Sequence, residues 1–274
     1  MSPENSLYLE LLLMMLMTGC VGGFLSGLLG VGGGTIFVPA LFFCLKAAGI
    51  QGDYIMHIAV GTSLAVVFAT GVMSAYHHYK RHAVDIKIVK SWGPFIILGV
   101  IVGSSFASGM DGRTLKEIFS GLLMLISIYM MFSGDKPKTA PKHKIPPYAL
   151  YIFCMFNGML SAMIGIGGSI VNIPVMAYMG IGIQQAIGTG SALGLMVALP
   201  GTIGYIVSGY PHIADLPPLS FGYINLIALA AIIPTSILLA PLGVKASHSL
   251  PKHLLRRIFA VVLALVSLRM FVTL

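Results

Sequence analysis

A cluster of glycines interrupts an apolar stretch of this chain twice, and the residues around it are the same each time. Gly23 to Pro39 reads GFLSGLLGVGGGTIFVP, and Gly158 to Pro174 reads GMLSAMIGIGGSIVNIP. Gly23, Leu25, Ser26, Gly30, Gly32, Gly33 and Pro39 return 135 positions later as Gly158, Leu160, Ser161, Gly165, Gly167, Gly168 and Pro174, which is seven identities in 17 positions. Further matches follow in order. Ala59-Val60-Gly61-Thr62 pairs with Ala186-Ile187-Gly188-Thr189, Gly71 and Asp85 with Gly201 and Asp215, and Ile118, Phe119 and Ser127 with Ile258, Phe259 and Ser267. The chain therefore reads as two copies of one unit.

Composition decides what that unit is. Of 274 residues, 57% are hydrophobic and 9% charged, and the mean hydropathy is +0.94. A soluble domain carries about 25% charged residues, so a soluble enzyme and a disordered chain are both excluded. About 20 apolar residues cross a bilayer as a helix. Ten apolar segments can be drawn, near 7–29, 36–49, 55–79, 91–109, 115–133, 148–164, 171–183, 185–208, 221–243 and 255–273. The second and seventh are too short to span comfortably. The expected fold is an all-α polytopic membrane protein of two repeats, five helical elements each, with broken or half-spanning helices at the glycine-rich loops. Residues 1–134 form the first repeat and 148–274 the second. The run DKPKTAPKHKIPP at 135–147 is a linker, too rich in Pro and Lys for a buried helix.

Charge orients the repeats. The net charge is +8, yet 12 of the 16 Lys and Arg fall in three short stretches: Lys80 to Lys90, Lys136 to Lys144 and Lys245 to Arg257. That is the positive-inside pattern rather than a nucleic-acid surface, since no groove-reading element accompanies it. In the first copy the loop between elements three and four is basic and the next is neutral; in the second copy the order reverses. Equivalent loops would then face opposite sides. The repeats are expected to be inverted, with both termini outside and the 135–147 linker cytoplasmic. Inverted repeats are common in secondary transporters. Cys20, Cys44 and Cys154 lie in apolar runs at no metal-site spacing and read as packing residues. The segment before Cys20 has no Lys or Arg, so the N-terminus is expected to be retained rather than cleaved.

The glycine loops carry the chemistry. Glycine costs about 1 kcal/mol in a helix interior, but it admits positive φ and lets backbone N–H groups approach a ligand. Unpaired backbone cannot face lipid, so these loops must be buried or line a wet cavity. Pro39 and Pro174 suit the first turn of a new helix. A half-helix starting at mid-depth turns its positive dipole end toward the membrane centre, and two such ends would make an anion site without a charged side chain. The candidate binding residues are Gly30, Gly32, Gly33, Gly34 and Thr35 in the first loop and Gly165, Gly167, Gly168, Ser169 and Asn172 in the second. Thr62, Ser63, Thr189 and Ser191 supply hydroxyls nearby. Against this, a single Gly or Ser serves helix packing or bonds its own helix backbone.

Other polar residues have plainer roles. His57 reads as a surface histidine near the outer end of element three, with proton transfer as the alternative. His77, His78 and His82 read as part of a solvated basic face. Asp85 and Asp215 recur at equivalent loops and are expected to cap element four of each copy.

The paired motifs GLLGVGGGTIFVP and AMIGIGGSIVNIP, followed by AVGTS and AIGTG, resemble the sulfite exporter TauE/SafE family over nearly the whole chain. The resemblance implies a permease of the bacterial inner membrane that exports a small sulfur-containing anion such as sulfite, sulfoacetate or another organosulfonate. It implies no cofactor, and partners limited to the anion, the bilayer and, on one coupling scheme, protons. An anion channel of the same architecture and an importer of thiosulfate-like anions are the alternatives. An enzyme is not expected, because no buried carboxylate pair, HExxH or Ser/Lys dyad is visible.

Overall fold

Hydropathy dictates the elements, and the computed structural model describes residues 3–29, 33–50, 52–132, 145–246 and 252–273. The expected linker at 135–147 falls almost entirely outside the described residues. Helices α1 (Pro3–Leu29), α2 (Gly34–Ala47), α3 (Ile55–Lys80), α4 (Ile86–Ser108) and α5 (Gly112–Phe132) make the first half. The second half holds α6 (Pro147–Met163), α7 (Ser169–Tyr178), α8 (Ile183–Gly209), α9 (Leu226–Ala246) and α10 (Lys252–Val272). Six described segments are long and apolar enough to cross a membrane: Glu10–Leu28, Ile55–Lys80, Ile86–Ser108, Gly112–Phe132, Ile183–Asp215 and Leu226–Ala246. The fold is thus that of an all-α polytopic membrane protein.

The second and seventh elements are short, as their sequences require. At 1.5 Å per residue, α2 is about 21 Å long and α7 about 15 Å, against a hydrocarbon core of about 30 Å. Neither begins at its proline. Each starts five residues earlier, after a glycine in the left-handed region: Gly33 (φ 74°) before α2 and Gly168 (φ 69°) before α7. Pro39 and Pro174 therefore stand in the second turn, where the missing N–H frees the carbonyls of Thr35 and Ile170. The glycine, rather than the proline, sets the helix start, because only a residue tolerant of positive φ can turn the chain there.

The halves pack reciprocally. Helix α1 lies on α9 and α6 lies on α4; α4 packs on α8 as α9 does on α3; α3 meets α8, and α5 meets α10. Individual contacts repeat the exchange. Gly103 of α4 seats against the Met159 carbonyl of α6, and Gly243 of α9 seats against the Phe24 carbonyl of α1. Gly243 is 140 positions after Gly103, and Met159 is 135 after Phe24. The Ser127 hydroxyl donates to the Ala260 carbonyl (2.7 Å), while Ser267 donates to the Ser120 carbonyl (2.8 Å). Bonds of this kind, made through a small side chain at close backbone approach, are what hold helices together where no hydrophobic driving force exists between them.

One expected correspondence is corrected. The Asp85 carboxylate caps α4, accepting from the N–H groups of Lys87 (2.9 Å) and Ile88 (3.3 Å). The matching cap on α9 is Asn225, whose side-chain oxygen accepts from Ala228 N–H at 2.9 Å. Asp215 instead lies in a 3₁₀ turn, Tyr210–Asp215, ahead of a small hairpin of β1 (Ser220–Phe221) and β2 (Ile224–Asn225). That hairpin consumes residues expected to be helical and delays α9 to Leu226.

Candidate functional site

The two glycine loops meet each other. A β carbon on Gly34 would fall against the Gly165 carbonyl oxygen and 3.0 Å from the Ile166 Cα, so the start of α2 is in backbone contact with the loop before α7. The segment from Ile164 to Gly168 is buried throughout. Its turn uses two glycines at positive φ, Gly165 at 67° and Gly168 at 69°. The Ile166 N–H returns to the Ser161 carbonyl (3.1 Å), and the Gly165 carbonyl accepts from the Ser63 hydroxyl (3.0 Å). A residue of α3, in the first half, thereby fixes the loop of the second.

At the helix starts, the Ile36 and Phe37 N–H groups return to the Gly33 carbonyl (3.0 and 3.1 Å), and Asn172 N–H reaches the Gly168 carbonyl at 3.4 Å. Thr35 is buried, and its hydroxyl has no hydrogen-bond partner among the described residues. Ser169, the first residue of α7, donates to the Gly190 carbonyl of α8 (2.7 Å). Gly167 lies beside Gly194 of α8, where a β carbon would stand 3.1 Å from the Gly167 oxygen.

Ser169 also borders a cavity of ≈ 10 Å³, close to the room one water requires. Ser26 of α1, Gly71 and Ser74 of α3, and Ser191 and Gly194 of α8 complete its polar wall. The Ser74 and Ser191 hydroxyls are 3.3 Å apart, and Ser191 also donates to the Ile187 carbonyl at 3.1 Å. Ser26 is 1% exposed, and its hydroxyl has no partner among the described residues. Four helices from both halves thus converge on a buried ring of hydroxyls at the N-terminal end of α7.

The expected site residues divide into three groups. Gly34, Ser63 and Gly165 meet at the loop contact; Gly33 and Thr35 flank Gly34, and Gly167 and Gly168 continue the second loop to Ser169, which shares the cavity with Ser191. Gly30 and Gly32 lie outside the described residues. Thr62 and Thr189 are engaged elsewhere, whereas Asn172 stays beside the second loop through Asn157, and its own side-chain N–H₂ is buried with no partner among the described residues. Thr62 accepts from Asn225 N–H and Thr189 from Asp85 N–H, both at 2.9 Å. These are equivalent bonds that tie α3 and α8 to the capped starts of α9 and α4. The Asn172 side-chain oxygen accepts from Asn157 (2.8 Å), which also reaches the Gly168 carbonyl (3.2 Å). In the first half the same two positions are Gly22 and Phe37, with the Phe37 ring packed over Gly22. One half carries an amide pair where the other carries an aromatic contact.

Ser26 and Ser74 are the cavity residues that sequence reading missed. Ser26 belongs to the repeated motif, and Val67, Gly71 and Ser74 lie on one face of α3 at helical spacing. Both signals are visible only once a partner face is known.

The opposite end of α3 is packed with aromatics. His57 is a correction: it is 1% exposed, not a surface residue. Its Nε2 lies 3.0 Å from the Ala107 carbonyl and its ring 5.1 Å from that of Tyr223. Tyr54 meets His212 Nδ1 at 3.0 Å, and the Tyr205 hydroxyl donates to the Ala162 carbonyl at 3.3 Å. Burial of His57 follows from the β1–β2 hairpin, which carries Tyr223 over it.

Comparison with known proteins fits this architecture. The family model for the sulfite exporter TauE/SafE matches residues 15–270. This chain belongs to that family. It is 34% identical to a probable membrane transporter protein of Haemophilus influenzae, over 95% of this chain and 98% of that one. It is 32% identical to a probable membrane transporter protein of Methanocaldococcus jannaschii, over 90% and 91%. A probable membrane transporter protein of Bacillus subtilis, YdhB, is 26% identical over 90% and 93%. No solved structure matches the chain. As a TauE/SafE family member with six described helices long and apolar enough to cross a bilayer, it is an integral membrane transporter.

Proposed function

We propose that this TauE/SafE protein is a secondary transporter that exports a small sulfur-containing anion, such as sulfite or an organosulfonate, by alternating access. The observation that carries the reading is the contact between the two glycine loops, beside a buried cavity walled by hydroxyls from both halves. A helix start at mid-depth supplies partial positive charge there, and small residues keep the site free of competing side chains. The cavity is far smaller than a sulfur oxyanion, so the helices around it must part to admit one.

The two halves are read as inverted repeats. Support comes from the reciprocal packing and from where the basic residues gather. The Arg81 guanidinium donates to the Val244 carbonyl (3.4 Å), and the Gln185 amide to Asp85 (3.5 Å). The end of α3, the start of α8 and the end of α9 therefore share one end of the bundle, with Lys80, Arg81, Lys87 and Lys245 on it. That end is assigned to the cytoplasm of a bacterial inner membrane, with both termini outside. Both halves rocking about a shared contact would expose the site to each side in turn.

The test is sulfite efflux from proteoliposomes holding the purified chain. Saturable flux with trans-stimulation is the expected result. Flux that rises linearly with concentration, at channel rates, would replace the carrier with an anion channel.

A further inference from the structure

The serine-lined cavity has an uncommon charge environment. Its walls come from α1, α3, α7 and α8, and these helices carry no Lys, Arg, Asp or Glu in 11–29, 55–79, 169–178 or 183–209. What faces the cavity is neutral: the hydroxyls of Ser26, Ser74, Ser169 and Ser191, with Val67, Gly71 and Gly194 between them, and Ser169 is the first residue of α7. The Ser26 hydroxyl is buried and has no partner among the described residues. Ser169 and Ser191 donate to the Gly190 and Ile187 carbonyls, so either would have to give up that bond to donate to a ligand.

Such a wall sets a limit on ligand charge. The cost of moving an ion out of water grows with the square of its charge, so a dianion costs about four times as much as a monoanion of the same size. A helix N-terminus contributes roughly half a charge, and a hydroxyl contributes only a dipole. This can balance one negative charge but not two. The geometry points to a site that selects singly charged sulfur oxyanions, hydrogensulfite or a sulfonate R–SO₃⁻, and refuses the sulfite dianion, sulfate and thiosulfate. The inference rests on the transporter reading above and specifies its substrate. Hydrogensulfite also carries its own proton, so its exit removes an acid equivalent without a titrating side chain in the wall.

Titratable neighbours stand outside the wall. His78 follows Ser74 by one turn of α3 and is buried, with Lys80 and Arg81 beyond it. Glu10 lies far along α1, and Asp85 and Lys87 sit at the start of α4 against α8; α7 has none. On the helices packed against the wall, Lys90 of α4 and Lys245 of α9 also stand at that end. Of the three α3 histidines, His57 lies at the other end of the helix, so protonation of His77 or His78 is what could imitate a preference for acid pH.

The test measures thermal stabilisation of the purified full chain in detergent at constant ionic strength, set with gluconate. The probes are methanesulfonate, a permanent monoanion; sulfate; thiosulfate; and sulfite from mildly acid to mildly alkaline pH. Methanesulfonate should stabilise equally across that range, sulfate and thiosulfate should not, and the apparent Kd of sulfite should rise about tenfold per pH unit once hydrogensulfite is titrated. Ser26→Ala and Ser74→Ala should each weaken methanesulfonate about fivefold, the loss of one hydrogen bond. Stabilisation by sulfate or thiosulfate equal to that by methanesulfonate overturns charge selection while leaving an anion site in place. Methanesulfonate binding that itself fades with rising pH overturns it in favour of a titrating histidine. If methanesulfonate is silent, the sulfite arm is repeated in the double variant His77→Gln with His78→Gln: a decline with pH that persists upholds charge selection under a tighter size limit, and a decline that disappears, or sulfite binding that grows with pH, overturns it. No response to any probe removes the anion reading itself, and charge selection with it.

Discussion

Replacing Gly34 by alanine tests the loop contact with the smallest possible perturbation. Gly34 has helical backbone, so alanine adds no torsional strain there. What it adds is one carbon, 3.0 Å from the Ile166 Cα and closer still to the Gly165 oxygen, where ordinary contact begins near 3.4 Å. Both neighbours are backbone atoms, so no side-chain rotation relieves the clash. The loops must separate by roughly 1 Å, an overpacking that costs ~1–3 kcal/mol. The same displacement stretches the 3.0 Å bond from Ser63 to the Gly165 carbonyl, whose net worth is about 1 kcal/mol. Displacements of this size at a positioned site reduce rates by about 10²-fold. Gly34→Ala should therefore lower the melting temperature modestly and sulfite efflux from proteoliposomes by about two orders of magnitude. Gly182→Ala is the control: nothing lies within 4 Å of a β carbon there, and transport should be unchanged. Wild-type flux through Gly34→Ala, with the protein intact in the membrane, would refute the argument that the loops work in contact.

Three further outcomes are expected. Gly33→Leu and Gly168→Leu each force a branched side chain into the left-handed region at φ 74° and 69°; both should abolish transport while the protein still inserts, as judged by membrane fractionation and flux. Asn172→Phe alone should destabilise the fold by more than about 2 kcal/mol, since it removes the shorter of the two bonds that Asn157 donates and adds bulk beside a buried amide. The double change Asn157→Gly with Asn172→Phe rebuilds the Gly22–Phe37 arrangement and should recover at least half of that loss in a thermal double-mutant cycle. Labelling of His82→Cys should occur from the cytoplasm and of His212→Cys from outside, and labelling of both from one side would remove the inversion; position 248, expected on the cytoplasmic side, lies outside the described residues.

Much of this protein was legible in its sequence because the signals are local. Hydropathy marked ten elements, glycine tolerance of positive φ marked the breaks before α2 and α7, and a constant offset exposed the repeat. The family resemblance rested on those same loops. The proline reading failed for a local reason too: Pro39 fits a first turn, but Gly33 starts the helix five residues sooner. What no window could show was pairing across more than a hundred residues. Asp85 finds its counterpart in Asn225 only because Thr189 and Thr62 make the same bond to each. His57 is buried only because a hairpin from the other half closes over it. Ser26 and Ser74 become binding candidates only when α7 and α8 bring Ser169 and Ser191 opposite them. Periodicity and composition fix which residues enter the membrane, since each depends on its own few neighbours. Which hydroxyls share a cavity depends on how whole helices cross, and only the packing of the two halves against each other decides that.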